Sequence, residues 1–452
     1  SQEACLTWQN NAPNPGFLHL YLPIRILSPV DPFAMQRSLQ TLADRHPALR
    51  ARFFSEGGQG MQRIADTCSV VLEQVRVESP SWQAASEPIL QAAMRPFDLQ
   101  QDLLLRGHLF SRGFRDHILL IVTHHIAVDA TAFAILLNEL FPLYAARLAG
   151  EEIPLPEVTW TFGDFVLWQS AMLKGPVGAR LWDHWRIELK DDPPLVRLPN
   201  DFPGNPVTRH EGACHAFHLE PVLVGRLRAL ARKEEATLYM VLLAAFQQLL
   251  HLHSGQEEIL VATHTQNRDR PEWEGLVGYL SDTVAIRTRM AADERFSALL
   301  QRVRHTLTSA LMFQGYPMKR LERQLQLSRE ALCNVWFTML PRQLYGAVGA
   351  LLGWKAGDPP VELGGLRLEA AHDLIPAWLG VWYDLELNLM EAGDEVSGTL
   401  CYRTDLFGAS RIAHLARDYQ TLLQSIAEDP SKSTFKQFQS RSGAAPENVI
   451  FS

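Results

Sequence analysis

Several things are scarce or missing in this chain, and each absence narrows what it can be. The five cysteines (Cys5, Cys68, Cys214, Cys333 and Cys401) are odd in number and scattered, with no CxxC pair and no Cys/His ligand spacing. That pattern predicts reduced, mostly buried thiols in a cytoplasmic protein rather than a disulfide framework. No apolar run approaches the roughly 18 residues of a membrane span, and the first residues lack a signal-peptide profile. No basic cluster is present, and Lys+Arg at 42 against Asp+Glu at 50 leaves a formal net charge of -8, so nucleic acid is excluded as a partner. There is no GxSxG elbow of the kind a serine hydrolase places between strand and helix.

What is present suits a globular enzyme. Hydrophobic residues make up 47% and charged residues 20%, enough for sizeable cores. With 452 residues the chain is too long for one ordinary domain and suits two lobes of about 200 residues each. LHLYLPIRILS reads as a strand. Asp31-Pro32 then opens a helix, with Asp31 as N-cap and Pro32 in the first turn. RHPALRARF leads into a second strand. A strand near Val70–Val77, a helix near Trp82–Met94, an apolar hairpin arm and the buried strand HILLIVTHH follow. The next segment reads as a long helix ending at Gly150, which Pro142 should kink or shorten. From about 170 to 210 the composition turns to proline, charge and tryptophan, the pattern of an interlobe connection carrying a helix over Val177–Leu189. Regular structure then resumes with strand CHAFHLE, helices Pro221–Glu234 and Tyr239–His253, and strand EEILVATHT. The order is neither strict βαβα nor all-β, so the fold class is α+β, with helices on a sheet in each lobe. The expected domains are 1–175, 176–430 and a polar tail, 431–452.

The chemistry concentrates in LLIVTHHIAVDAT, Leu119 to Thr131, where a buried strand ends on His124 and His125, with Asp129 four residues further on. Neighbouring strand residues face opposite sides, so only one histidine can face a given cavity. Four readings follow from the residues alone. Asp129 can cap the following helix after two structural histidines. A zinc site would need convergent ligands, and the other nearby candidates, His210, His215 and His218, are strung along a linker and a strand. A Ser-His-Asp hydrolase lacks its elbow. Acyl transfer would use one imidazole, with its near-neutral pKa, to handle the proton of an attacking nucleophile.

HHIAVDA resembles the HHxxxDG signature of the condensation domains of nonribosomal peptide synthetases, and further similar blocks recur in order along the chain. SQEACLTW resembles the tail of that family's opening motif, and RHPALRARF is similar to its RHe-LRT-F segment. DFVLWQ (Asp164–Gln169) with LWDHW, the Thr263–Arg287 block THTQNRDRPEWEGLVGYLSDTVAIR, YDLELN (Tyr383–Asn388) and GTLCYRTDLFGASRI (Gly398–Ile412) resemble the rest. The resemblance implies two chloramphenicol-acetyltransferase-like lobes forming a V-shaped pseudo-dimer with a tunnel between them. It also implies an acyltransferase that joins a donor acyl thioester to an acceptor amine. Both substrates are carried on phosphopantetheine arms of donor and acceptor carrier proteins, and the protein itself binds no metal and no cofactor. By the same resemblance the chain is a monomer whose partners are carrier proteins and other synthetase or polyketide synthase subunits.

Residue by residue, His125 matches the histidine that faces the tunnel, and His124 the more structural one. Asp129 matches a structural partner of an arginine, here Arg268. Removing one member of such a buried pair costs roughly 3–5 kcal/mol. Tyr279, Asp282 and Thr283 fall where the tunnel lining is expected. Two positions depart from the pattern. Ala130 stands where the signature has glycine, and Ser281-Asp282 replaces the usual Val-Asn. His124 argues against heterocyclisation domains, which carry aspartate there. Epimerisation domains share the HHxxxDG signature, but the donor-side blocks here look more like condensation domains, and the DFGWG motif of the plant HxxxD acyltransferases is missing. Ester-forming or macrocyclising domains stay open, as does a catalytically silent domain that recruits carrier proteins. The closing SKSTFKQFQSRSGAAPENVIFS reads as a disordered tail or a docking segment.

Overall fold

A computed structural model describes residues 15–56, 59–151, 155–190, 195–205, 211–291, 294–327, 332–352, 358–375 and 380–431, together with Gln2, Cys5, Leu6 and Gln9. His210 and the tail beyond Ser431 lie outside the described residues. The chain forms two compact units. One comprises Ser1–Gly175, Gln266–Asp282 and Pro341–Leu379, and the other Pro176–Thr265, Thr283–Leu340 and Gly380–Ser452. The division is therefore not the single cut near 175 expected from the sequence. Two later stretches return to the first unit, because their partners there are long-range and invisible to local pattern.

The strands of the first half are β1 (His19–Ile26), β2 (Ala51–Glu56), β3 (Gln59–Ile64), β4 (Leu72–Arg76), β5 (Leu105–Gly113) and β6 (Asp116–His124). Then come β7 (Gly212–Leu219), β8 (Glu258–Thr265), β9 (Asp282–Arg289) and β10 (Val335–Pro341). The short β11 (Val361–Leu363) and β12 (Leu366–Ala370) precede the closing hairpin of β13 (Leu385–Ala392) and β14 (Glu395–Arg403). The first unit's main sheet has the order β11-β12-β1-β6-β5-β4, and β2-β3 is a separate hairpin. β1 runs antiparallel to β6 in a register that sets His19 opposite His124. Every residue of β6 after Asp116 is buried, which fits its continuous apolar run and its place inside the sheet.

Local chemistry explains the helices of this unit. The Asp31 carboxylate accepts from the Phe33 and Ala34 amides at 2.8 and 3.0 Å, capping the Pro32–Arg45 helix. Ala130–Ala149 forms one helix of 20 residues that continues through Pro142 and stops at Gly150, whose φ is 69°. The expected shortening at Pro142 does not occur, since the lost backbone bond is confined to one turn of a helix with ten buried side chains. This helix is also long and apolar enough to cross a membrane, but 56% of its most apolar window is buried against the rest of the protein. The helix Phe162–Lys174 closes a capping box through Thr161 and Asp164 and carries the DFVLWQ block. Its Phe162 and Phe165 pack with Trp273, Leu276 and Leu280 of the returning segment.

The second unit has its own sheet, in the order β7-β14-β13-β10-β8-β9. Helices Pro221–Lys233, Leu238–Ser254, Phe296–Met312 and Ala409–Glu428 bury their apolar faces. Each unit is thus helices on a mixed sheet, the expected α+β class. The cysteine reading needs correction here. Cys214 and Cys401 sit opposite each other in the β7–β14 register and form a disulfide across a sequence separation of 187 residues. No spacing rule finds such a pair, because only the antiparallel register brings the two together. Cys5, Cys68 and Cys333 stay outside the disulfide as thiols, and Cys5 and Cys333 are buried.

Candidate functional site

The site is built where β6 ends, within the first unit. β6 terminates at His124, and His125 opens the turn leading to the Ala130–Ala149 helix. The turn closes with the Ala127 amide on the His124 carbonyl at 3.0 Å, while the His125 amide donates to the Leu18 carbonyl at 2.7 Å. The two imidazoles consequently have different surroundings.

His124 is fully buried. Its Nδ1 accepts the Ile126 amide at 3.1 Å, so the ring proton must sit on Nε2, which donates to Gln9 Oε1 at 3.0 Å. Burial first, and then the electrostatics of its neighbours His19, His125 and Arg106, hold its pKa well below the ordinary histidine value. Gln2 of the same N-terminal block donates to the Ile126 carbonyl at 2.9 Å. Two side chains of SQEACLTWQ thereby brace the signature.

His125 is half-buried. Its Nδ1 lies 3.0 Å from the Val128 carbonyl, which can only accept, so Nδ1 carries the proton and Nε2 is the bare nitrogen. The Tyr279 ring packs against the imidazole at 4.8 Å between centroids. Burial lowers the His125 pKa, opposed by the Asp129 charge and the Val128 hydrogen bond. The ring is a neutral base with its tautomer fixed by the turn.

Asp129 points into the returning segment. It is the N-cap of the helix, with Oδ1 accepting from the Ala132 amide at 2.8 Å. The same Oδ1 accepts from Arg268 at 3.0 Å, and Oδ2 accepts from Arg268 at 2.9 Å and from the Leu280 and Ser281 amides at 3.0 Å each. Arg268 also donates to the carbonyls of Gln266 and Leu276. The pair is dry, with side-chain exposures of 4% and 2%. The backbone adds to the fit, since Asp129 N donates to the Gly278 carbonyl at 3.1 Å. A Cβ on Gly278 would lie 2.4 Å from Phe162, so only glycine permits this approach.

Ala130 is the first residue of the helix and is exposed. Among the described non-glycine residues only Glu235, Asn267 and Gln326 have positive φ, so Ala130 needs no glycine conformation. Tyr279 belongs with His125, Asp129 and Arg268 in the first unit. Asp282 and Thr283 open β9, both half-buried, with the unit boundary falling between them. His215 and His218 lie on β7 in the second unit. Among the described residues no group of three His, Cys, Asp or Glu side chains is arranged to hold a metal.

Three contributors escaped the sequence reading. His19 packs beneath His124. Asn138 donates to the Tyr345 carbonyl at 2.8 Å and accepts from the Val348 amide at 3.2 Å, tying that loop to the helix. Tyr345 is buried, its phenol is pushed up to about 12 by burial, and it feels the charges of both Asp129 and Arg268. All three act through pairings between segments distant in sequence, and none belongs to a block with a recognisable signature.

The first α+β unit thus sets two strand-end histidines beside a buried Asp129–Arg268 ion pair. The family model described as "Condensation domain" matches residues 1–439. The chain belongs to the condensation-domain family, whose general activity is amide-forming acyl transfer between substrates bound to carrier-protein domains. It is 34% identical over 431 residues to one of the linear gramicidin synthase proteins of Brevibacillus parabrevis, covering 94% of this chain and 8% of that protein. It is 31% identical to phosphinothricin tripeptide synthetase PhsC of Streptomyces viridochromogenes, covering 90% and 37%. The chain therefore spans a minor part of these much longer relatives. Among solved structures, the X-domain from teicoplanin biosynthesis matches with a TM-score of 0.82 at 23% identity, covering 96% of both chains. The first condensation domain of the calcium-dependent antibiotic synthetase matches with a TM-score of 0.77 at 17% identity, again covering 96% of both. These two likenesses concern the fold.

Proposed function

We propose that this chain joins a donor acyl thioester to an acceptor amine, both delivered on phosphopantetheine arms of carrier proteins, with His125 as the catalytic residue. The observation that carries the reading is the tautomer of His125: the Val128 carbonyl fixes the proton on Nδ1 and leaves Nε2 as the available base. The amine nitrogen attacks the thioester carbonyl carbon, and Nε2 takes its proton as the tetrahedral intermediate forms. The carbon–sulfur bond then breaks, and the proton passes to the departing pantetheine thiolate. The products are an amide on the acceptor arm and a free thiol on the donor arm. No acyl group is attached to the protein, and the thioester is itself the activated acyl donor, so the reading calls for no metal or prosthetic group.

His124 holds the strand end in this role, and Asp129 with Arg268 holds the returning segment rather than handling a proton. Tyr279 limits rotation of the imidazole. Asp282 and Thr283 are assigned to substrate contact, where they help choose the nucleophile. A hydroxyl in place of the amine would use the same nitrogen and give an ester or a macrocycle. A cytoplasmic, monomeric domain working with carrier proteins completes the proposal. The silent, partner-recruiting alternative has a counterpart in fold, since the teicoplanin X-domain forms a complex with OxyB. The intact turn around His125 favours catalysis here.

The test is to mix the protein with an acyl-loaded donor carrier domain and an aminoacyl-loaded acceptor carrier domain and follow intact masses. Transfer of the acyl mass to the acceptor supports the reading. Recruitment of both carriers with no transfer across a panel of acyl groups overturns it in favour of the silent domain.

A further inference from the structure

One buried group near the site has no place in the reaction described above. His19 begins β1 directly opposite His124, and the carbonyl of the residue before it, Leu18, receives the His125 amide. The ring is buried, with Nδ1 2.7 Å from the Ala93 carbonyl. A carbonyl only accepts, so Nδ1 carries the hydrogen and Nε2 is left as a bare lone pair. That Nε2 is buried, and no hydrogen-bond partner for it exists among the described residues. Such an atom is costly to bury, which makes the choice of a histidine here a question in itself.

The packing supplies an answer. His19, Phe97 and His124 meet edge to face, with centroids 5.0, 5.8 and 5.9 Å apart, and the Arg106 guanidinium lies over Phe97 at 3.7 Å. The charged and titratable groups acting on this cluster are Arg106 from β5, and His124 and His125 from the end of β6. Burial, reinforced by Arg106, brings the His19 pKa down to about 4, so the ring enters the block neutral. His124 is neutral as well, with its own proton committed to Gln9.

We propose that His19 is a positioning residue for His125: anchored on Ala93 through Nδ1 and packed edge to face on His124, it holds the end of β6 from which the His125 turn starts and so keeps His125 Nδ1 on the Val128 carbonyl. The inference rests on the acyl-transfer role of His125, but it is read out separately. An asparagine at position 19 can place its amide nitrogen where Nδ1 stands and keep the Ala93 bond. A glutamine places it where Nε2 stands and abandons the Ala93 bond.

The experiment compares His19→Asn with His19→Gln in protein carrying ¹⁵N-histidine, the His125 signals being assigned by their loss in His125→Gln. His19→Asn should retain the Nδ1–H tautomer of His125 and keep kcat within about threefold of the parent. His19→Gln should mix the tautomers and lower kcat about tenfold with little change in KM, a split that general destabilisation does not produce. If the two variants behave alike in tautomer and in kcat, His19 is not a positioning residue. Should His19→Gln fail to fold, His19→Phe keeps the ring packing on His124 and removes the Ala93 bond, and a parent-like His125 tautomer and kcat in that variant overturn the proposal. The tautomer measurement needs no substrate, so it stands even if acyl transfer itself is not found.

Discussion

Asp129 and Arg268 meet across 139 residues of sequence in a two-pronged ion pair, with 2.9 and 3.0 Å bonds and almost no solvent contact. The carboxylate is also a helix cap and the acceptor for two backbone amides of the returning segment. It is therefore a fastening point between Gln266–Asp282 and the helix behind His125, and its loss is felt as structure before it is felt as chemistry.

Asp129→Asn and Arg268→Ala should each destabilise the first unit by roughly 3–5 kcal/mol, since each leaves a buried partner uncompensated. Chemical denaturation of the two variants checks this. Unchanged midpoints with lost turnover would instead give Asp129 a direct part in catalysis.

Gly278→Ala should act on the same fastening. Its Cβ would lie 2.4 Å from the Phe162 ring, so the segment must move away from Asp129. Overpacking of this kind costs typically about 1–3 kcal/mol, and turnover should fall along with the melting temperature. Parent-like behaviour of Gly278→Ala would show that the segment has slack at this point.

Acid stability should depend on His19. Its folded pKa of about 4 lies below the ordinary 6.5, so between those values the unfolded chain binds a proton that the folded chain refuses. The stability from this group is complete above pH 6.5 and is lost as the pH falls toward 4, on the order of 3 kcal/mol in all. His19→Asn should flatten the pH dependence of the denaturation midpoint in this window. An unaltered slope would place the acid sensitivity elsewhere.

Alkylation of the denatured, unreduced protein should modify Cys5, Cys68 and Cys333 and spare Cys214 and Cys401. Reduction should open both remaining sites and lower stability by about 2–4 kcal/mol. Labelling of all five cysteines without reductant would restore the reading of the sequence as a chain of free thiols.

The legible and illegible parts of this protein separate by the range of the interactions involved. The Asp31 cap, the buried run of β6 and the end of the long helix at Gly150 are local and could be read directly. The HHIAVDA stretch and Arg268 stood out through family-like blocks, which carry long-range information in their wording. The return of Pro341–Leu379 to the first sheet, the Cys214–Cys401 pair and the packing of His19 on His124 depend on strand register. A strand's own pattern says which face is buried and says nothing of which strand lies beside it. The difference in surroundings between His124 and His125 was expected as an alternation of faces. Its real cause is more specific: the strand stops between them, and the turn fixes each tautomer through a different backbone group.

The most direct test of the account is turnover of His125→Ala with acyl-loaded donor and aminoacyl-loaded acceptor carrier domains, followed by intact mass and normalised to folded protein. A loss of about 10²–10⁴-fold is expected, the usual contribution of a positioned acid–base group. Amide formation at a rate within a few-fold of the parent would contradict it, and would move the catalytic role away from the nitrogen that the Val128 carbonyl leaves bare.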